Sequence, residues 1–179
     1  MSLSFATAST ATYQSVDPAY KNYLRIHTSM TMLMLIGFAI IAWLLPWPLP
    51  TWIPFTAIAL LLMLWLILLM FWVSRRYAVT QYAVGEDFIS YRVGALWHKE
   101  VAVTFNRLQH TELARGPIER WLGISRLLLY TAGGQGADLS IPGLPAQTAE
   151  ELKEKLTQKV RQETLLSEAI TEVGAEHDG

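Results

Sequence analysis

The stretch that decides the fold is TSMTMLMLIGFAIIAWLL-PWPLPT-WIPFTAIALLLMLWLILLMFWV, residues 28–73. It lies within 49 consecutive residues, between Arg25 and Arg75, that contain no Asp, Glu, Lys or Arg. Such a run is too long for one membrane helix of about 20 residues and suits two. Three prolines in residues 46–50 cannot continue a helix and mark a turn. The pattern predicts a two-helix transmembrane hairpin, with spans at residues 28–45 and 52–73.

The composition of the whole chain agrees with a membrane protein. Of the 179 residues, 52% are hydrophobic and 16% are charged, whereas an average soluble domain carries ~25% charge. The formal net charge of -1 argues against nucleic-acid binding, which needs a clustered basic face. The absence of cysteine excludes disulfides, thiolate metal sites and cysteine nucleophiles. About 100 residues follow Arg75, enough for one small soluble domain.

Basic and aromatic residues flank both spans, where they suit the headgroup layer. The predicted membrane-interface residues are Lys21, Arg25, Trp43, Trp47, Trp52, Trp72, Arg75 and Arg76. Because the basic residues lie outside the hairpin and the turn is uncharged, the positive-inside rule predicts that both termini are cytoplasmic. Residues 1–27 are predicted to be a disordered lead-in followed by an interfacial segment, in which Tyr20 and Tyr23 contact headgroups. Trp65, near the middle of the second span, is predicted to pack on the first helix.

A soluble domain is predicted at residues 77–163, where the helical pattern gives way to short alternating strands. Six strands separated by glycine-containing turns fit the sequence, the first at residues 77–84. Residues 142–145, PGLP, are predicted to break the sheet. Thr148 and Glu151 match a helix capping box, and Ala149, Leu152, Leu156 and Val160 form one apolar stripe. The expected fold is a bent antiparallel sheet or open barrel with a C-terminal amphipathic helix, and residues 164–179 form a frayed acidic tail.

Several short motifs occur in an order that resembles a known family. They are RYAVT at residues 76–80, YRVG at 91–94, FNRLQHT at 105–111, RGPIERWLG at 115–123, TAGG at 131–134 and IPGL at 141–144. With the two-span prefix, they resemble the YdbS-like bacterial membrane proteins that carry a bacterial pleckstrin-homology (PH-like) domain. Leu108 stands where that family has Ile, and Thr104 where it has Pro. The resemblance implies a multi-pass protein of the bacterial inner membrane. It also implies a companion, a larger membrane protein with several PH-like domains.

No motif indicates catalysis. No acid/base pair, nucleophile or metal cluster is visible, so no catalytic residue, metal or cofactor is predicted. The glycine run at residues 133–136 precedes a strand and not a helix, which favours a turn over a phosphate cradle. At the tip of the first hairpin, Glu86 and Asp87 would repel phosphate, so the fold does not by itself predict phosphoinositide binding.

Four arginines in the middle of the domain, with one tryptophan, are the candidate interaction patch: Arg107, Arg115, Arg120, Trp121 and Arg126. One interpretation is a surface for a partner or a lipid. The other, favoured because acids lie in the same segments, is that the arginines pair with Glu100, Glu112 and Glu119. Trp121 is open to both an interface and a core role, and the core role is slightly favoured.

The sequence therefore predicts a non-catalytic inner-membrane protein that presents a PH-like interaction or assembly module. Its expected partners are membrane lipids and a membrane protein, with no nucleic acid, and a second copy of the chain is a further candidate partner. Two alternatives remain open. One is a lipid-contacting factor in envelope stress or resistance, and the other is an accessory subunit of a larger membrane enzyme.

Overall fold

The computed structural model describes residues 12–44, 50, 52–95, 97–132 and 136–177. Trp47, most of the predicted turn and most of the glycine run lie outside these residues. The helices are α1 (Ala19–Leu44), α2 (Trp52–Ile67), α3 (Val73–Val79), α4 (Pro117–Trp121) and α5 (Ala146–His177). The strands are β1 (Gln14–Ser15), β2 (Gln81–Val84), β3 (Phe88–Val93), β4 (Lys99–Thr104), β5 (Leu108–Ala114), β6 (Ile124–Thr131) and β7 (Leu139–Pro145). Leu68–Trp72 is a π-helical turn and Phe105–Arg107 a 3-10 turn.

Two helical runs are long and apolar enough to span a membrane: Ala19–Leu44, with 26 residues, and Trp52–Val79, with 28. Only 6% of the most apolar part of each is buried within the protein, so neither is a core helix of the domain. The helices contact each other through Trp65, whose Nε1 donates a hydrogen bond to Ser29 Oγ at 3.3 Å. This contact confirms the prediction that Trp65 packs on the first helix.

The second helical run continues past the point where the first strand was predicted. Residues 77–79 are helical, and β2 begins only at Gln81, so the predicted strand at residues 77–84 was placed too early. Continued helix buries Val73 completely and brings Tyr77 against the core. Tertiary packing thus overrides the strand preference of Tyr77 and Val79. Thr80 then ends the helix, its hydroxyl donating to the Arg76 carbonyl at 2.6 Å.

The strands form two antiparallel sheets, in the order β1-β2-β3-β4 and β5-β6-β7. Strands β3 and β4 lie against β7, and α5 packs on the second sheet. The sheet-rich region and C-terminal helix agree with the predicted PH-like architecture, with two sheets instead of one continuous bent sheet. One hydrophobic core joins both sheets, α5 and the ends of the long helices.

Residues 142–145 do not break the sheet, contrary to the prediction, because they belong to β7. The pairing of β6 with β7 shifts register between Ser125 and Leu127, and such a bulge tolerates a proline that cannot donate to the ladder. Gly143 has a φ of 72°, in the left-handed region that glycine adopts most readily. Its carbonyl accepts a hydrogen bond from the Asp17 N–H at 2.8 Å. The bulge therefore brings the chain before α1 onto the domain.

The segment before α1 is part of the fold. Gln14 and Ser15 pair with β2, so the prediction of disorder is wrong for these residues. Val16, Tyr20 and Leu24, spaced four residues apart, are all buried in the common core. That spacing places their side chains along one side of the chain as it enters the helix.

Helix α5 differs from its prediction at both ends. It begins at Ala146, directly after β7, and not at a cap formed by Thr148. It continues to His177, so the backbone of residues 164–177 is helical where a frayed tail was predicted. Between these ends Ala149, Leu152 and Leu156 are buried, which confirms the apolar stripe.

Candidate binding site at the junction of helices and domain

A cavity of about 400 Å3 lies where α1 and α3 meet the two sheets. We call it the junction cavity. Its lining residues are Tyr20, Tyr23, Leu24, His27, Arg76, Tyr91, Val93, Arg126, Ser140 and Pro142. Two of these side chains are arginines and none is a carboxylate, so the described wall of the cavity is cationic.

The first arginine, Arg126, lies on β6 and is held from behind by α4. Its Nη2 donates to Glu119 Oε1 at 2.8 Å and lies 3.5 Å from the Tyr23 hydroxyl. Glu119 is only 4% exposed, and its second oxygen accepts the backbone N–H of Gly116 at 2.7 Å. Glu119 was one of three acids predicted to pair with the arginines of the patch, and its partner is Arg126. The pair fixes the direction of the guanidinium.

The second arginine, Arg76, lies on α3 and has no carboxylate partner among the described residues. Its guanidinium carbon stands 4.8 Å from the centre of the Trp72 ring, a distance typical of a cation–π contact. The Nε atoms of Arg76 and Arg126 are both buried and make no hydrogen bond to any described group. Buried polar atoms are nearly always hydrogen-bonded, so each of the two arginines carries one donor that the described packing leaves unsatisfied.

Tyrosines line the cavity beside the two arginines. Burial raises the pKa of Tyr20, and Tyr23 adds to this rise. The charges of Arg76 and Arg126 and a hydrogen bond from Arg76 oppose it. Burial also raises the pKa of Tyr91, with a contribution from Tyr20 that the same two arginines oppose. Both phenols therefore stay protonated at neutral pH and can donate hydrogen bonds. Both arginines lie within electrostatic reach of both phenols.

The cavity offers hydrogen-bond donors and positive charge. Within the described ranges, no group of three or more His, Asp or Glu side chains is placed to hold a metal ion. Its chemistry is that of binding an anion.

The structure does not bring the five residues of the predicted patch together. Arg126 faces the junction cavity. Arg107 and Arg115 flank opposite ends of β5, and a seven-residue strand is about 24 Å long. Arg115 lies 3.6 Å from Glu150 on α5, a pair that was not predicted. Only Arg120 and Trp121 remain as neighbours on an exposed surface.

The other predicted ion pairs are absent among the described residues, because both acids have different partners. Glu100 pairs with Arg92 at 2.9 Å and accepts a short hydrogen bond from the Tyr13 hydroxyl. Glu112 accepts the Tyr130 hydroxyl at 3.1 Å. Both contacts lie on the surface of the domain.

Two tryptophans of the domain are highly exposed. Trp121 on α4 is 77% exposed, so the core role that the sequence favoured is wrong. The physical reason is that α4 has only five residues and buries Glu119 in place of Trp121. Trp97, in the turn between β3 and β4, is 87% exposed. No function was predicted for it.

The described residues that were predicted to lie at a membrane interface occupy the ends of the long helices. Arg25, Trp43, Trp52 and Arg75 are exposed, whereas Lys21, Trp72 and Arg76 are half-buried. Arg76 thus has a role in the junction cavity that its neighbour Arg75 does not share.

Sequence reasoning missed Tyr20 and Tyr91 as parts of a site. Tyr20 was assigned to headgroups, although its four-residue spacing from Val16 and Leu24 was a signal of burial. Nothing in the local sequence around Tyr91 indicated that it would face Tyr20, because the two residues are 71 positions apart.

The family model described as Bacterial PH domain matches residues 22–160. The match includes the second long apolar helix, all of the first except residues 19–21, and every strand from β2 to β7. No curated protein and no solved structure is similar enough to the chain to count as a match. The narrower resemblance to YdbS-like proteins therefore stays a prediction.

Proposed function

Because the chain belongs to the bacterial PH domain family, we propose that it is a non-catalytic interaction module held at the cytoplasmic face of the bacterial inner membrane. The two long helices cross the bilayer as a hairpin with both termini in the cytoplasm. The domain presents a surface to a membrane-protein partner. PH-like domains are modules that bind lipids or proteins, and this family membership is the premise of the proposal.

The exposure of the helical hairpin supports insertion in the bilayer. Large apolar side chains point outward along both helices, among them Met34 at 79%, Phe38 at 72% and Met70 at 78% exposed. A contiguous apolar surface of this extent is unfavourable in water and is typical of contact with lipid or protein. Each run is also longer than the ~20 residues needed to cross the hydrocarbon core.

The observation that carries the proposal is the common core of hairpin and domain. Tyr20 and Leu24 from α1 and Val73 from α3 are buried together with Ile89 and Leu144 of the two sheets. The domain is thus packed on the helices and not suspended from a flexible linker. A surface on such a domain keeps a fixed orientation toward the membrane, which suits the docking of another membrane protein.

The docking surface that we propose consists of Arg120 and Trp121 on α4. Both side chains are exposed, and Trp and Arg are the residue types most enriched at interface hot spots. The helix below them is fixed by Glu119, which bonds both Gly116 and Arg126. Because the backbone of α4 is already held in place, docking there requires the ordering of the two side chains only.

The test compares the wild-type protein with the double variant Arg120→Ala, Trp121→Ala. Both are purified at full length in a mild detergent. Loss of a hot spot costs about 2 kcal/mol or more, so we expect the recovery of a stoichiometric membrane-protein partner to fall at least tenfold. Trp97→Ala is the matched control, because it removes an equally exposed tryptophan and should retain the partner. Binding is then repeated with the purified partner, and the thermal unfolding of both variants checks their folding. Equal recovery from both variants would contradict the proposed surface.

A second candidate function, direct contact with lipid, is favoured by the position of Trp97. Val93, at the end of β3, lines the same cavity as Leu24 and His27, which directly precede the first predicted span. The turn after β3 therefore lies at the membrane end of the domain, and tryptophan is enriched at membrane–water interfaces. A third role, as an accessory subunit of a larger membrane enzyme, would be distinguished from partner docking and lipid contact by the identity of the protein that co-purifies.

A further inference from the structure

We propose that the junction cavity is a binding site for a phosphate group, a function that is independent of the docking surface on α4. The ligand chemistry is a phosphate monoester or diester, which a lipid headgroup or a free phosphate compound can supply. Four features support this assignment: the charge of the cavity, its hydrogen-bond donors, its size and its depth.

The charge balance of the cavity favours an anion. The Arg76 guanidinium has no carboxylate partner among the described residues, and Arg126 has one, Glu119, which approaches from behind. Two guanidinium groups against one carboxylate leave an excess of positive charge at a half-buried position. A buried charge that lacks a partner is costly, and a phosphate oxygen is a partner that arginine binds well because its planar fork of donors matches the phosphate geometry.

The donors that line the cavity point to the same ligand class. Arg76 and Arg126 both line it, and each guanidinium group presents five N–H donors. Their Nε atoms are fully buried, so a ligand in the cavity would meet the terminal Nη groups. The Tyr23 hydroxyl touches Arg126, and the phenols of Tyr20 and Tyr91 remain protonated. A phosphate group accepts several hydrogen bonds through its oxygens, so one ligand can satisfy donors from α1, α3 and β6.

The size and depth of the cavity fit a headgroup phosphate. Its volume of about 400 Å3 exceeds ten times the ~30 Å3 share of a water molecule in the liquid, which is ample for a phosphate and part of its ester. His27 directly precedes the first predicted span and Arg76 follows the second by three residues. In the proposed membrane orientation the cavity therefore lies at the level of the lipid headgroups.

The experiment measures the thermal unfolding of the full-length protein in an uncharged maltoside detergent at physiological salt. The probes are inorganic phosphate, short-chain phosphatidylglycerol and a short-chain diacylglycerol that lacks phosphate. A ligand that binds only the folded state raises the unfolding temperature with its concentration. We expect phosphatidylglycerol to raise the unfolding temperature and diacylglycerol to leave it unchanged. Stabilisation by inorganic phosphate alone would also support the site and would assign it to a free phosphate compound.

The variants decide whether the effect comes from this cavity. Loss of a charge-assisted hydrogen bond costs about 1.5–3 kcal/mol, so Arg76→Gln should weaken the apparent affinity about ten- to a hundredfold. Arg75→Gln is the matched control, because Arg75 is exposed and does not line the cavity, and it should change the affinity less than twofold. Ser140→Asp leaves both arginines in place and puts a negative charge in the cavity. It should abolish binding even if Arg76→Gln fails to fold.

Two results would overturn the proposal. One is that neither inorganic phosphate nor phosphatidylglycerol stabilises the wild-type protein more than diacylglycerol does. The other is that Arg75→Gln weakens binding as much as Arg76→Gln and Ser140→Asp do, which would show a diffuse surface attraction instead of a site.

Discussion

Substitution of Gly143 by alanine tests how closely α1 approaches the domain. A Cβ atom at this position would lie 2.6 Å from the Cβ of Tyr20, a separation that real side chains do not reach. Gly143 also has a φ of 72°, which an alanine adopts only with strain. The variant is therefore expected to suffer two separate penalties, one from the backbone and one from packing.

The matched control is Gly123→Ala, which separates these penalties. Gly123 has a φ of 70°, and a Cβ there would meet nothing within 4 Å. Placing an L-residue in the left-handed region costs about 1–2 kcal/mol, and forcing an extra methyl group into a packed core costs about 1–3 kcal/mol. Gly123→Ala should show only the first penalty, and Gly143→Ala should be destabilised by a further ~1–3 kcal/mol.

The two full-length variants are unfolded with denaturant in mild detergent. Tryptophan fluorescence and circular dichroism monitor the unfolding. The difference between the two free energies of unfolding measures the contact of Gly143 with Tyr20. If the two variants are equally destabilised, α1 does not pack on β7 as described, and the common core of hairpin and domain would be refuted.

Two further predictions concern the junction and the membrane end of the domain. Glu119→Gln keeps the shape of the side chain but removes the charge that faces Arg126, so we expect the unfolding free energy to fall by about 1–3 kcal/mol. Denaturant titration measures this loss. The control Glu112→Gln, at an exposed site, should change the unfolding free energy by less than ~0.5 kcal/mol. Trp97→Ala should reduce the blue shift of tryptophan fluorescence on transfer from detergent to bilayer nanodiscs, and an unchanged blue shift would place Trp97 away from the bilayer.

The hairpin was predictable because its signal is local and redundant. Each span needs only a long apolar run, and prolines such as Pro46 and Pro48 interrupt a helix in any context. The apolar stripe of α5 was predictable for a similar reason, since Leu152 and Leu156 are spaced by one helical turn. Such patterns depend on residues close together in the sequence, so they can be recognised without knowledge of the fold.

The boundaries and the site were not predictable in the same way. Tyr77 and Val79 favour a strand locally, but the helix continues because Val73 packs in the core. The junction cavity joins α1, α3 and the two sheets, and no pattern within one segment reports such a meeting. Arg76 was explained as a topology signal at the end of the second span. Its buried Nε, which has no described hydrogen-bond partner, becomes evident only in the three-dimensional structure.

Single-cysteine labelling tests the proposed membrane topology, the central claim, most directly. The chain contains no cysteine, so each introduced thiol is the only reactive one. A cysteine that replaces Leu49, in the predicted turn, should react with a membrane-impermeant maleimide in intact bacteria. A cysteine appended after Gly179 should react only after lysis. The account predicts a hairpin that crosses the membrane twice with both termini in the cytoplasm. It would be contradicted if the cysteine at position 49 reacted only after lysis, whether the C-terminal cysteine was then labelled in intact cells or was equally protected.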